Sequence, residues 1–91
     1  MTNPNSFTLD NVTLYHRPSC GYCMRVHLAL KTMKINIANA NVSRDDHARK
    51  ELSQKGGKSQ VPALRITHSN GKEEWMYESL DIIDYLQKQA G

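Results

Sequence analysis

Cys20 and Cys23 flank Gly21-Tyr22, a spacing at which one sulfur can attack a disulfide and the other can resolve the product. A disulfide across so short a loop would restrict the unfolded chain little, so a structural staple is a poor reason for the pair. Two small buried hydrophobes are the plain alternative. Zinc is the chemical rival. A structural zinc site wants four ligands, and only His16 and His27 accompany the two cysteines. His27 falls on the polar face of its own helical pattern, so ligand count and placement favour redox exchange and predict no metal site.

The position of the pair gives it chemical meaning. Val12-Thr13-Leu14-Tyr15-His16 alternates and is rich in β-formers, which predicts a strand that Pro18 ends. Apolar residues at Cys23, Val26, Leu30 and Met33 then predict a helix over 21–34. Cys20 is thus expected where unsatisfied N–H groups and the helix dipole favour an anion, with Arg17 adding positive charge nearby. Such surroundings lower cysteine pKa values from about 8.5 to roughly 3.5–7.5. Cys23 lies one turn inward on the apolar face. Cys20 is therefore the expected nucleophile and Cys23 the resolving thiol.

Further along, Asn36 to Val42 alternates weakly as a strand, since Asn disfavours strands. Ser43-Arg44-Asp45-Asp46 resembles a helix N-cap at Ser43, and the helix it opens, with Ala48 and Leu52 inward, stops at Gly56-Gly57. Two strands, 63–67 and 74–77, flank a Ser69-Asn70-Gly71 turn. Ser79 then caps a last helix with Leu80, Ile82, Ile83 and Leu86 facing the core. The order β-α-β-α-β-β-α implies an α/β fold with a parallel first pair, a closing hairpin, and a mixed four-stranded sheet flanked by helices.

Ninety-one residues suffice for one domain, expected over 11–91 behind a flexible polar tail over 1–10. The tail has neither the basic nor the apolar region of a signal peptide, and no run approaches the ~20 apolar residues of a membrane helix. A net charge of +3 suits small anionic partners, while the scattered cations argue against nucleic acid. A cytoplasmic chain with reduced thiols is expected.

Arg17-Pro18-Ser19-Cys20-Gly21-Tyr22-Cys23, Gln60-Val61-Pro62 and Tyr77-Glu78-Ser79 before the last helix together resemble glutaredoxin, a thioredoxin-like fold. The same motifs are similar to the N-terminal domain of glutathione transferases. The resemblance covers about Val12 to Gln87. It implies a cis Val61-Pro62 bond facing the active cysteine, with the Val61 backbone offered to the cysteinyl part of glutathione. A proline merely opening a strand is the alternative. Arg17 and Lys58 would bind the glycine carboxylate, although either could be an ordinary solvated charge. Tyr22 would line the groove or cap it as a partly buried aromatic. Glu78 and Ser79 would receive the γ-glutamyl end, with a plain N-cap as the alternative for Ser79.

Two features depart from common glutaredoxins. Gly21 replaces the proline after the active cysteine, and in the wider family a small residue there is associated with a [2Fe–2S] cluster bridging two subunits through two glutathiones. Met76-Tyr77-Glu78-Ser79 replaces the usual glycine pair and acidic step, which makes this stretch more transferase-like. With no residues after Gly91 for the helical domain of a transferase, exchange is expected over conjugation. The resemblance implies a monomeric thiol–disulfide oxidoreductase acting on glutathionylated or disulfide-bearing proteins. It would use glutathione as co-substrate and require no other cofactor. Cluster binding, or a thioredoxin-like redox protein served by a reductase, are the alternatives.

Overall fold

A computed structural model describes residues 7–90. It shows seven elements in the expected order: β1 (Phe7–His16), α1 (Gly21–Met33), β2 (Ile35–Asn41), α2 (Asp46–Gln54), β3 (Ala63–Thr67), β4 (Glu73–Met76) and α3 (Ser79–Ala90). The strands form one sheet ordered β2-β1-β3-β4. β1 runs parallel to β2, while β3 is antiparallel to both β1 and β4. The hairpin between β3 and β4 closes with Gly71 at φ +86°, a conformation that glycine adopts without a Cβ penalty.

Alternation along β1 sends its side chains to two cores. Val12 and Leu14 join Val26 and Leu30 of α1, Leu64 and Ile66 of β3, and Ile82 and Leu86 of α3. Tyr15 points the other way, to Val42, Ala63, and Ala48 and Leu52 of α2. Two helices therefore cover one face of the sheet and a single helix covers the other. Among the described residues no helix is long and apolar enough to cross a membrane.

Five expectations are corrected. The first strand begins at Phe7, not Val12, because Phe7 and Thr8 pair with Ile35 and Asn36 before the register shifts. Residues 7–10 of the expected tail are thus part of the sheet, and the remainder of that tail lies outside the described residues. The strand after α1 starts at Ile35, which is buried; pairing with β1 overrides the weak local propensity of its asparagines.

Asp45, not Ser43, caps α2: its backbone is extended and its carboxylate accepts from the Ala48 N–H at 3.2 Å. Ser43 is held in the preceding turn, donating its N–H to Asn41 Oδ1 at 2.9 Å. A carboxylate also suits the positive end of the helix better than a hydroxyl. Finally, Leu80 is 66% exposed, whereas Ile82 and Leu86 are fully buried. Glu78 occupies the cap position of α3, its carbonyl accepting from the Ile82 N–H at 2.9 Å, so Ser79 is the first helical residue. Leu80 falls in that first turn, outside the buried stripe of Ile82 and Leu86.

Candidate active site at the start of the first helix

Pro18 follows β1, Ser19 takes a left-handed φ of +64°, and Cys20 is extended (φ −102°, ψ 115°) as the cap of α1. The chain thereby turns its first cysteine sulfur back over the helix end. Cys20 Sγ accepts the Cys23 N–H at 3.3 Å, which satisfies one of the free donors of the first turn. The Cys20 carbonyl accepts the Met24 N–H at 3.0 Å and begins the helical ladder.

The two thiols differ in surroundings. Cys20 is half-buried, while Cys23 is only 1% exposed beneath it on the face that carries Val26 and Leu30. Burial, followed by its hydrogen bond with Cys20, pushes the Cys23 thiol up to about 11, against the opposing influence of Arg17. Cys23 is therefore a thiol at neutral pH.

Opposite Cys20 lies the turn into β3. The Val61-Pro62 bond is cis, and the Val61 carbonyl oxygen is 4.0 Å from Cys20 Sγ. Val61 and Pro62 form part of a cleft of about 250 Å³ with Tyr22, Gln60, Tyr77, Glu78 and Ser79. The sequence-derived set is thus largely brought together. Tyr22 of α1, Val61 and Pro62 before β3, and Glu78 and Ser79 at the start of α3 line one depression beside the Cys20 sulfur. Ser79 is buried, and Tyr22 stands 63% exposed with the Arg25 guanidinium 5.6 Å from its ring centre.

The two cations expected to hold a carboxylate are not in this cleft. Arg17 is exposed and does not line it. Lys58 lines a larger adjoining groove of about 540 Å³, with its ammonium 5.1 Å from the centre of the Tyr77 ring. Tyr77 is the residue that sequence reasoning passed over. It borders both depressions, and its hydroxyl donates to the Gly56 carbonyl. Adjacency to Glu78-Ser79 was the only hint of this in the sequence. His16 and His27 also meet, with rings edge-to-face and centres 4.9 Å apart.

A family model described as the glutathione S-transferase N-terminal domain matches residues 14–91. The class-mu 28 kDa glutathione S-transferase isozyme of Schistosoma haematobium is 27% identical over 82 residues, which are 90% of this chain and 38% of that protein. The chain therefore spans little more than a third of that curated relative. A glutaredoxin from Methanosarcina mazei superposes with a TM-score of 0.69 at 14% identity, covering 94% of this chain and 82% of that one. A trimeric glutathione transferase from Leishmania gives 0.68 at 22% identity over 86% of this chain and 17% of that one. At these identities the superpositions establish the thioredoxin-like fold. Since the family match runs through the thiol turn's helix, the cis-proline turn and the last helix, this chain belongs to the glutathione S-transferase N-terminal domain family.

Proposed function

We propose that the protein is a glutathione-dependent thiol–disulfide oxidoreductase, with Cys20 as nucleophile and Cys23 as resolving thiol. One observation carries the reading: two chemically unlike sulfurs at one helix end, Cys20 half-buried and 4.0 Å from Val61 O, Cys23 sealed beneath it as a thiol. A conjugating site needs one position that activates glutathione. A second sulfur one turn away supports exchange.

The Cys20 thiolate attacks the glutathione sulfur of a glutathionylated protein, and the S–S bond breaks as the protein thiolate leaves and takes a proton from water. Cys20 is left bound to glutathione. A second glutathione thiolate attacks that sulfur, which releases oxidised glutathione and restores the Cys20 thiolate. Alternatively Cys23, giving up its proton as it attacks, expels glutathione and closes the Cys20–Cys23 disulfide. During these steps the tripeptide lies in the cleft, its cysteinyl backbone against Val61 and its γ-glutamyl end at Glu78 and Ser79. Arg17 and Lys58 supply positive charge for the remaining carboxylate.

Cys20→Ser is expected to abolish reduction of a glutathione-mixed disulfide. Cys23→Ser, which retains the route through glutathione alone, is expected to keep a large share of wild-type turnover. Equal inactivation of the two variants would rule out the monothiol route. Family membership favours one further reading, in which the domain presents glutathione for conjugation to an electrophile. Turnover of 1-chloro-2,4-dinitrobenzene that survives Cys20→Ser would establish that reading in place of exchange.

A further inference from the structure

The thiol cleft has two walls drawn from separate stretches of chain. One is the loop between α2 and β3, carrying Gln60, Val61 and Pro62; the other is the junction of β4 and α3, carrying Glu78 and Ser79. The β3–β4 ladder ends at the Leu64–Met76 pair, short of both walls. No β3–β4 backbone pairing therefore sets their separation.

Tyr77 is placed to set it. It leaves β4 immediately before Glu78, and its hydroxyl crosses to donate to the Gly56 carbonyl at the start of the opposite loop. Gly56 is itself tied to α2, its N–H donating to the Glu51 carbonyl at 3.3 Å. The approach is close enough to demand glycine: a Cβ at 56 would sit 2.5 Å from the Tyr77 hydroxyl oxygen, 2.6 Å from Leu52 O and 3.0 Å from Trp75 Cε3. The face of the same Tyr77 ring holds the Lys58 ammonium at 5.1 Å, within the range of a cation–π contact. Burial pushes the Tyr77 phenol above the ordinary tyrosine range, so it remains a donor through neutral pH.

We infer that Tyr77 is a positioning residue: its hydroxyl latches the α2–β3 loop to the β4–α3 wall, and its ring stations Lys58 at the rim. The latch fixes the width at which Val61 and Ser79 face one another. This role rests on glutathione occupying the cleft, but the latch itself is a property of the free protein. The hydroxyl and the ring act separately, and two substitutions part them. Tyr77→Phe removes the latch and keeps the perch for Lys58; Tyr77→Leu removes both.

The test combines hydrogen exchange of the free protein with steady-state kinetics on a glutathione-mixed disulfide. In Tyr77→Phe the amides of residues 57–61 exchange faster, while those of β1 and α1 are unchanged. The KM for glutathione rises about three- to tenfold, the worth of one hydrogen bond, with kcat within about twofold of wild type. Lys58→Met raises KM further in the Phe variant and adds nothing in the Leu variant, which has already lost the perch.

Unchanged loop exchange in Tyr77→Phe overturns the latch. So does a parallel fall of kcat and kcat/KM with no rise in KM, accompanied by a lowered melting temperature, which marks a merely structural residue. Wild-type protein inert toward glutathione, with loop exchange still quickened in Tyr77→Phe, overturns the glutathione reading and supports the latch alone.

Discussion

The two faces of the sheet are covered by opposite means. Under α1 and α3 the contacts are apolar: Leu14, Val26, Ile66, Ile82 and Leu86 have no exposed surface. Beneath α2 the apolar cluster is smaller, and a polar network runs along its edge. Arg65 Nη1 donates to Glu51 at 2.8 Å and to Tyr15 OH at 3.3 Å, and the same guanidinium pairs with Glu73. Its plane lies over Trp75, which packs against Tyr15 with ring centres 5.1 Å apart. Burial opposes the Arg65 charge, but the hydrogen bonds to Tyr15, Glu73 and Glu51 outweigh it and raise its pKa.

The difference follows from how much surface each side must cover. Two helices seal the first face. One nine-residue helix with Ala48 and Leu52 as its buried side chains cannot seal the second, and long amphipathic side chains complete the cover. The thiol cleft draws on both. Cys23 is set in the apolar face, while Gly56 and Tyr77, which hold the opposite wall, belong to the networked one.

The comparison breaks most sharply at Leu14. Leu14→Ala opens a cavity between two helices and is expected to cost about 2–5 kcal/mol, read from urea unfolding. A cost below 1 kcal/mol would mean that this face relaxes readily and is not the rigid side.

The networked face should respond differently to single and paired changes. Arg65→Met leaves Glu51, Glu73 and Tyr15 without their shared donor, at an expected cost of about 1–3 kcal/mol. Glu51→Met combined with Arg65→Met removes the charge together with the more buried of its two carboxylate partners, so the pair should cost less than Arg65→Met alone. If the double variant instead shows the sum of the two single losses, the network acts through independent contacts.

How far each face can be read from sequence differs for the same reason. Periodicity reports burial, so the apolar face is legible: Cys23, Val26 and Leu30 form one stripe, and the mixed sheet with its parallel first pair follows from the element order. Leu80 misled because an apolar residue in the first turn of α3 counts toward a pattern whether or not anything covers it. The thiol and its helix end were legible as well, since CxxC, proline and helix start are neighbours in sequence. The networked face was not. Arg65 and Glu51, or Tyr77 and Gly56, meet only through folding, with Tyr77 and Gly56 lying 21 residues apart, and no spacing announces them. The placement of Lys58 was not legible either, because a flexible cation goes to whichever partner folding supplies, here the Tyr77 ring.

The smallest expected effect tests a titrating group where β1 ends on the apolar side. His16 follows Leu14 on that side and meets His27 of α1 edge-to-face. Burial, and then the charge of His27, lowers the His16 pKa below its ordinary 6.5. A histidine lowered in the folded state binds its proton more tightly when unfolded. Its stabilising contribution is thus complete above about pH 6.5 and declines as pH falls through the lowered folded value. The Arg65 guanidinium on the other face remains charged across this range. The urea midpoint of wild type should therefore decline between pH 7 and pH 5 more steeply than that of His16→Phe. Parallel pH profiles would show that the histidine pair accepts a proton without penalty and that this end of the apolar face is wet.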